Sequence, residues 1–161
     1  MNHIISVLVE NKAGVLAKIS GLFSRRGFNI DSLAVGPTED DRVSRVTITV
    51  HADKQGIEQV IKQLYKLINV LKIQELDPNN IVERELVLIK VATDARNRAE
   101  ILEIVNIFRA NIVDVAKKSL LIEITGTSSK VNALKQLLEP FGILELTRTG
   151  KIACSRGSRK I

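Results

Sequence analysis

The same order of elements is written twice along this chain. From Asn2 to Leu76 the apolar periodicities read strand, helix, strand, strand, helix, strand, and from Arg84 to Thr147 that order returns. The segment Phe28-Asn29-Ile30-Asp31-Ser32-Leu33 has its counterpart in Ala110-Asn111-Ile112-Val113-Asp114-Val115, about eighty residues on. A βαββαβ unit folds as an antiparallel sheet with two helices on one face. The fold class is therefore α+β: two tandem ferredoxin-like βαββαβ sandwiches. Asp77-Pro78-Asn79-Asn80 breaks both periodicities. It places a linker at 77–83, between a first domain over 1–76 and a second over 84–150, with a basic tail over 151–161.

Within the first copy, Val15, Leu16, Ile19, Leu22 and Phe23 make one helical stripe over about Gly14–Arg25, and Gly27 stands where a cap ends it. Strand two follows over about Asn29–Val35. In the strand over Val43–His51, Ser44, Val46, Ile48 and Val50 alternate with Arg45, Thr47 and Thr49, which marks one buried face. The second helix starts near Asp53 and carries Ile57, Val60, Ile61, Leu64 and Tyr65. In the second copy, a strand over Leu86–Val91 leads to a helix with Ile101, Ile104, Val105 and Phe108. Its second helix, capped by Thr127 or Ser128, carries Val131, Leu134, Leu137 and Leu138. Past Gly150 the chain is expected to fray. The open face of each sheet needs cover, and self-association is the economical solution.

The 161 residues suit one domain of ordinary size or two small ones, and with aromatics at 3% and no Trp the cores must be built from Ile, Val and Leu. No run of about 18 apolar residues exists, so no membrane span is expected. A single cysteine, Cys154, cannot form an internal disulfide, and with no targeting segment legible the expected location is cytoplasmic. The net charge of +6 raises the question of nucleic acid, but Arg148, Lys151, Arg156, Arg159 and Lys160 crowd the last residues and suit a solvated or partner-binding tail. The RNA-recognition module shares the βαββαβ order, and a tandem RNA-binding protein is the rival reading. It requires aromatics on the central strands to stack bases, and Asn2–Val9 and Arg42–Val50 have none. A ligand-binding transcription regulator lacks its helix-turn-helix, since every helix is used by the two sandwiches.

Only the first copy opens its helix with a glycine loop, Asn11-Lys12-Ala13-Gly14-Val15-Leu16. A helix N-terminus offers unpaired N–H groups and a positive dipole end, and a residue without a side chain lets an anion reach the backbone. Asn11 before the loop and Asn29 after the helix can bond the polar end of an amino acid. An ordinary tight turn explains the same residues. In the second copy Thr93-Asp94-Ala95-Arg96-Asn97-Arg98 takes that place and makes a matching pocket doubtful. Two histidines, His3 and His51, lie far apart, so no metal site is expected, and no nucleophile meets a base anywhere. The asymmetry suggests a sensor with no catalytic residues and no cofactor of its own.

Glu10-Asn11-Lys12-Ala13-Gly14-Val15-Leu16 resembles the ligand loop of ACT domains, small-molecule sensors of amino-acid metabolism. Gly27 through Glu39, with Ser44-Arg45-Val46-Thr47-Ile48, resembles the regulatory (small) subunits of acetolactate synthase, also called acetohydroxyacid synthase, of bacterial type. Arg84 through Val91, Thr149 through Ala153, and Arg156-Gly157 agree, so the resemblance spans nearly the whole chain. It implies a non-catalytic subunit that pairs through its ACT domains. It implies activation of a catalytic subunit carrying thiamine diphosphate, Mg²⁺ and FAD, and feedback inhibition by valine in the synthesis of valine, leucine and isoleucine. Carried over by position, Asn11, Gly14, Val15, Leu16, Asn29 and Ile30 line the valine site, with Asn29 and Ile30 supplied by a partner chain.

Overall fold

In a computed structural model that describes Met1–Ile161, every expected strand and helix is present and in the expected order. The chain divides into two units, Met1–Val82 with Lys151–Ile161, and Glu83–Gly150.

The first unit contains β1 (Asn2–Glu10), α1 (Val15–Arg25), β2 (Ile30–Pro37), β3 (Val43–His51), α2 (Lys54–Leu64) and β4 (Val70–Leu76). Its strands lie in the order β2-β3-β1-β4, all antiparallel, which is the ferredoxin-like arrangement. One sheet face presents Ile5, Val7 and Val9 from β1 and Val46, Ile48 and Val50 from β3. Val15, Ile19, Leu22 and Phe23 of α1 and Ile57, Val60 and Leu64 of α2 close over that face. Each buried Val, Leu, Ile or Phe side chain contributes about 1.5–3 kcal/mol relative to exposure, and Phe23 is the one aromatic in this otherwise aliphatic layer. Gly27 ends α1 at φ 72°, and the Phe28 N–H donates to the Phe23 carbonyl at 3.1 Å, a Schellman closure. Asp53 caps α2, its side chain accepting from the Gly56 N–H.

The second unit contains most of β5 (Ile81–Ala92), then α3 (Arg98–Ile107), β6 (Asn111–Val115), β7 (Ser119–Gly126), α4 (Ser128–Leu138) and β8 (Ile143–Arg148). The strand order β6-β7-β5-β8 repeats that of the first unit. Val87, Ile89, Val91, Leu120, Ile122 and Ile124 pack under Ile101, Val105, Val131, Leu134 and Leu138. Of the two candidate caps for α4, Thr127 accepts from the Lys130 N–H.

Three expectations are corrected. The break at Asp77–Asn80 is a tight turn, with the Asp77 side chain accepting from the Asn79 N–H at 2.9 Å. Ile81, Val82 and Glu83, placed in the linker, already belong to β5. The tail does not fray: β9 (Ile152–Ser155) pairs with β5, and Ala153 is buried with Ile4, Leu76 and Ile81. The tail's basic residues hide this short apolar run from a reading based on charge. The second face of β3 is also closed. Thr47 and Thr49 are 2% and 3% exposed, and Ser6 opposite Thr47 on β1 is 1% exposed.

Candidate functional site

The turn from β1 into α1 is built by backbone geometry with no side chain at its apex. Asn11 donates its N–H to the Arg42 carbonyl at 2.8 Å and its Nδ2 to the Asp41 carbonyl at 2.9 Å. These two bonds pin the start of the loop to the turn between β2 and β3. Gly14 is the N-cap of α1 at φ 85°, ψ −11°, left-handed backbone that glycine adopts at little cost. No side chain caps the helix, and its first turn holds no acidic residue. The Val15 N–H reaches only the Lys12 carbonyl, at 3.5 Å. A β-carbon placed on Gly14 would meet no atom within 4 Å, so the space above it is open.

The side chains around this opening divide by role. Val15 is buried and anchors the helix in the core, so only its backbone faces the opening. Leu16, counted in the apolar stripe from sequence, is 42% exposed. It lies one residue, about 100°, round the helix from Val15 and leaves the stripe to Val15, Ile19, Leu22 and Phe23. The result is an exposed aliphatic side chain beside uncapped N–H groups. Lys12 pairs with Glu10 at 2.7 Å, and the Glu10 carboxyl is held below its usual range chiefly by the hydrogen bond from Lys12. Lys18 donates to Asn69 Oδ1 at 3.1 Å, and Asn69 in turn donates to Glu10 Oε2 at 3.5 Å. Asn69 was missed by the sequence reading, because it lies 59 residues from Glu10 and no local signal joins them.

The turn that receives Asn11 is itself clasped. Arg42 donates from Nε and Nη2 to the Asp40 carboxylate at 3.0 and 2.8 Å. Those bonds, with a third from the Arg42 backbone N–H at 3.0 Å, hold Asp40 at about 2, below its ordinary 3.8. Thr38 Oγ1 donates to the Val43 carbonyl at 2.9 Å and closes the same turn.

Asn29 and Ile30 lie elsewhere. Asn29 is exposed just before β2, and Ile30 is half-buried against the core. Ile30 pairs with Val50, whereas Glu10 pairs with Val43. Seven strand steps separate Val43 from Val50, about 23 Å at the usual rise. Within one chain the six candidates therefore form two groups, Asn11, Gly14, Val15 and Leu16 at one end of the sheet and Asn29 with Ile30 at the other. No group of three or more His, Cys, Asp or Glu side chains is placed to hold a metal, and no helix is long and apolar enough to cross a membrane.

Comparison with known proteins covers both units. Residues 5–72 match the model of the ACT domain of acetohydroxyacid synthase small subunit-like proteins, and residues 84–157 match the small subunit of acetolactate synthase. The chain is 57% identical to the acetolactate synthase small subunit of Mycolicibacterium smegmatis, over 99% of this chain and 94% of that one. It is 56% identical to the probable acetolactate synthase small subunit of Archaeoglobus fulgidus, over 99% and 100% of the two chains. The crystal structure of the acetolactate synthase small subunit from Thermotoga maritima superposes with a TM-score of 0.91 at 46% identity, over 99% of each chain.

Proposed function

The chain belongs to the acetolactate synthase small-subunit family, and on that footing we propose that it is a regulatory subunit that binds valine at the mouth of α1 and thereby restrains a catalytic partner. The observation that carries this reading is the uncapped N-terminus of α1 at Gly14, open to solvent beside the exposed Leu16. The carboxylate of an amino acid supplies the negative charge and the acceptors that such an end lacks. Leu16 offers an apolar contact to a small branched side chain. Asn11 Oδ1 is left unengaged by the bond from Nδ2 and is an acceptor for the ligand's ammonium group.

Separation of the candidates at the two ends of the sheet supports a site shared between copies. A two-fold pairing that sets α1 antiparallel to its mate brings Asn29 and Ile30 of one copy to the Gly14 mouth of the other, twice over. Valine held in both mouths then favours one arrangement of the dimer, provided it binds the two arrangements unequally. A coupling of about 1–3 kcal/mol is typical of such regulation. The chemistry itself belongs to the catalytic subunit, to which the family resemblance assigns thiamine diphosphate, Mg²⁺ and FAD. Inhibition by valine closes a feedback loop on the synthesis of branched-chain amino acids.

Reconstitution with a catalytic acetolactate synthase subunit tests the reading. The wild-type chain should raise its activity and make it sensitive to valine. Gly14→Asp should keep the activation and lose the sensitivity, because its carboxylate occupies the N–H groups and repels the ligand's own. Undiminished valine inhibition with Gly14→Asp would exclude this mouth as the site.

A further inference from the structure

On the side of the first sheet away from α1 and α2, the C-terminal segment encloses a second opening that the valine reading does not use. Arg45, Ser6 and Gln74 line it from three adjacent strands, and Cys154, Arg159 and Lys160 line it from the tail. The cavity measures about 150 Å³, a volume that suffices for one benzene-sized molecule and falls short of the roughly 300 Å³ where drug-sized sites begin.

Its charged side chains are all basic, and Ile161, which bears the terminal carboxylate, also lines it. None of Arg45, Arg159 and Lys160 makes an ion pair. Arg45 Nη1 finds only the Cys154 sulfur, at 3.9 Å, a weak acceptor. At the base of the cavity, Ser6 is 1% exposed and its hydroxyl has no partner. A buried hydroxyl without a protein partner costs about 1–3 kcal/mol, and where it lines this cavity it is free to bond water or an incoming ligand oxygen. Three unpaired cations and one orphaned hydroxyl match an oxyanion, with the guanidinium of Arg45 suited to two of its oxygens.

We propose that this cavity binds a small oxyanion, a phosphate or carboxylate group on no more than a few carbons, between the polar face of the first sheet and the C-terminal segment. Such a ligand ties Arg159 and Lys160 to Arg45 and secures the tail against the sheet. The site is separate from the mouth of α1, and its test needs neither valine nor the catalytic partner.

Cys154 is the only cysteine and is exposed, which makes it a reporter inside the cavity. The rate of its alkylation by neutral N-ethylmaleimide is measured on the full chain against inorganic phosphate, with acetate as a second arm, at constant ionic strength set by chloride. The expected result is saturable protection. At ten times Kd only about a tenth of the sites are free, so the rate falls about tenfold. The acetate arm decides which oxyanion chemistry is preferred. Arg159→Gln with Lys160→Gln, both on the exposed tail, should raise the Kd at least about tenfold while leaving thermal unfolding without phosphate unchanged. Ser6→Ala should weaken binding without changing the alkylation rate of the free protein. Alkylation that neither anion slows beyond the chloride control would overturn the proposal. So would protection that the double tail variant leaves intact, since the ion would then be acting elsewhere.

Discussion

The two units share one topology, but their first helices begin in opposite ways. In the second unit the turn before α3 is closed by its own side chains. Asp94 Oδ1 accepts from the Arg96 N–H at 2.8 Å and the Asn97 N–H at 3.0 Å. Asn97 Oδ1 accepts from Thr93 Oγ1 and from the Asp94 N–H, both at 2.9 Å. Glu100 adds an acidic residue to the first turn of α3, and the first turn of α1 has none. The N-cap Asn97 keeps an ordinary φ of −106°, whereas Gly14 sits at 85°. Neither N-cap residue makes a side-chain bond to its helix, but the turn leading into α3 is closed by Asp94 and Asn97 and its first turn carries Glu100, whereas the turn into α1 has neither. An external anion has more to gain at the mouth of α1.

Substitutions can break that contrast. The largest expected effect is that of Gly14→Asp. Calorimetric titration should show the valine Kd raised at least about a hundredfold, about 2.7 kcal/mol. Thermal stability should also fall, by about 1 kcal/mol, because a side chain at φ 85° is strained even for Asp, so affinity is read at a temperature where the variant is folded. Asp94→Ala sharpens the comparison from the other side. Loss of a side chain that accepts two N–H bonds should destabilise the second unit by about 1–2 kcal/mol in denaturant unfolding, with valine affinity unchanged. Leu16→Ala should then weaken valine binding several-fold, about 1 kcal/mol, with little effect on unfolding because the side chain is 42% exposed.

The smallest effect concerns the clasp that holds the open mouth in place. Asp40 titrates at about 2 in the folded chain against an ordinary 3.8. A depressed carboxyl stabilises the fold above its unfolded value, and that contribution is lost as pH falls from about 3.8 through about 2. Carboxyl NMR should find Asp40 of the Arg42→Ala variant titrating higher than in the wild type but still below its ordinary value, because the backbone N–H of residue 42 still donates to it, with the Asn11 amide shifted because its carbonyl partners Asp41 and residue 42 move. An unmoved Asp40 midpoint would remove Arg42 as the cause.

The topology was legible because the aliphatic residues repeat at strand and helix periods with few exceptions. Strand β3 is the clearest case, since its bounds stand as read. What alternation cannot report is whether the polar face is covered. Thr47 and Thr49 look like solvent-facing residues until the three-dimensional fold buries them. The tail was misread for a related reason. Five basic residues past Thr147 outweigh the short Ile152-Ala153 run by count, yet that run pairs with β5 and buries Ala153. At the candidate site the glycine loop was legible, because few other residues suit that backbone. The exposure of Leu16 and the distance between Gly14 and Asn29 were not, since both depend on which helix face and which end of the sheet each residue reaches.

The contrast between the two helix mouths is tested most directly by following backbone amides of the intact chain by NMR during a valine titration. The account predicts that the Val15, Leu16 and Ala17 N–H signals move saturably with valine and not with lysine, while those of Arg96, Asn97 and Arg98 stay where they are. If Arg96–Arg98 respond and Val15–Ala17 do not, the ligand site lies in the other unit. If neither set responds to saturating valine, the open mouth of α1 is not a valine site.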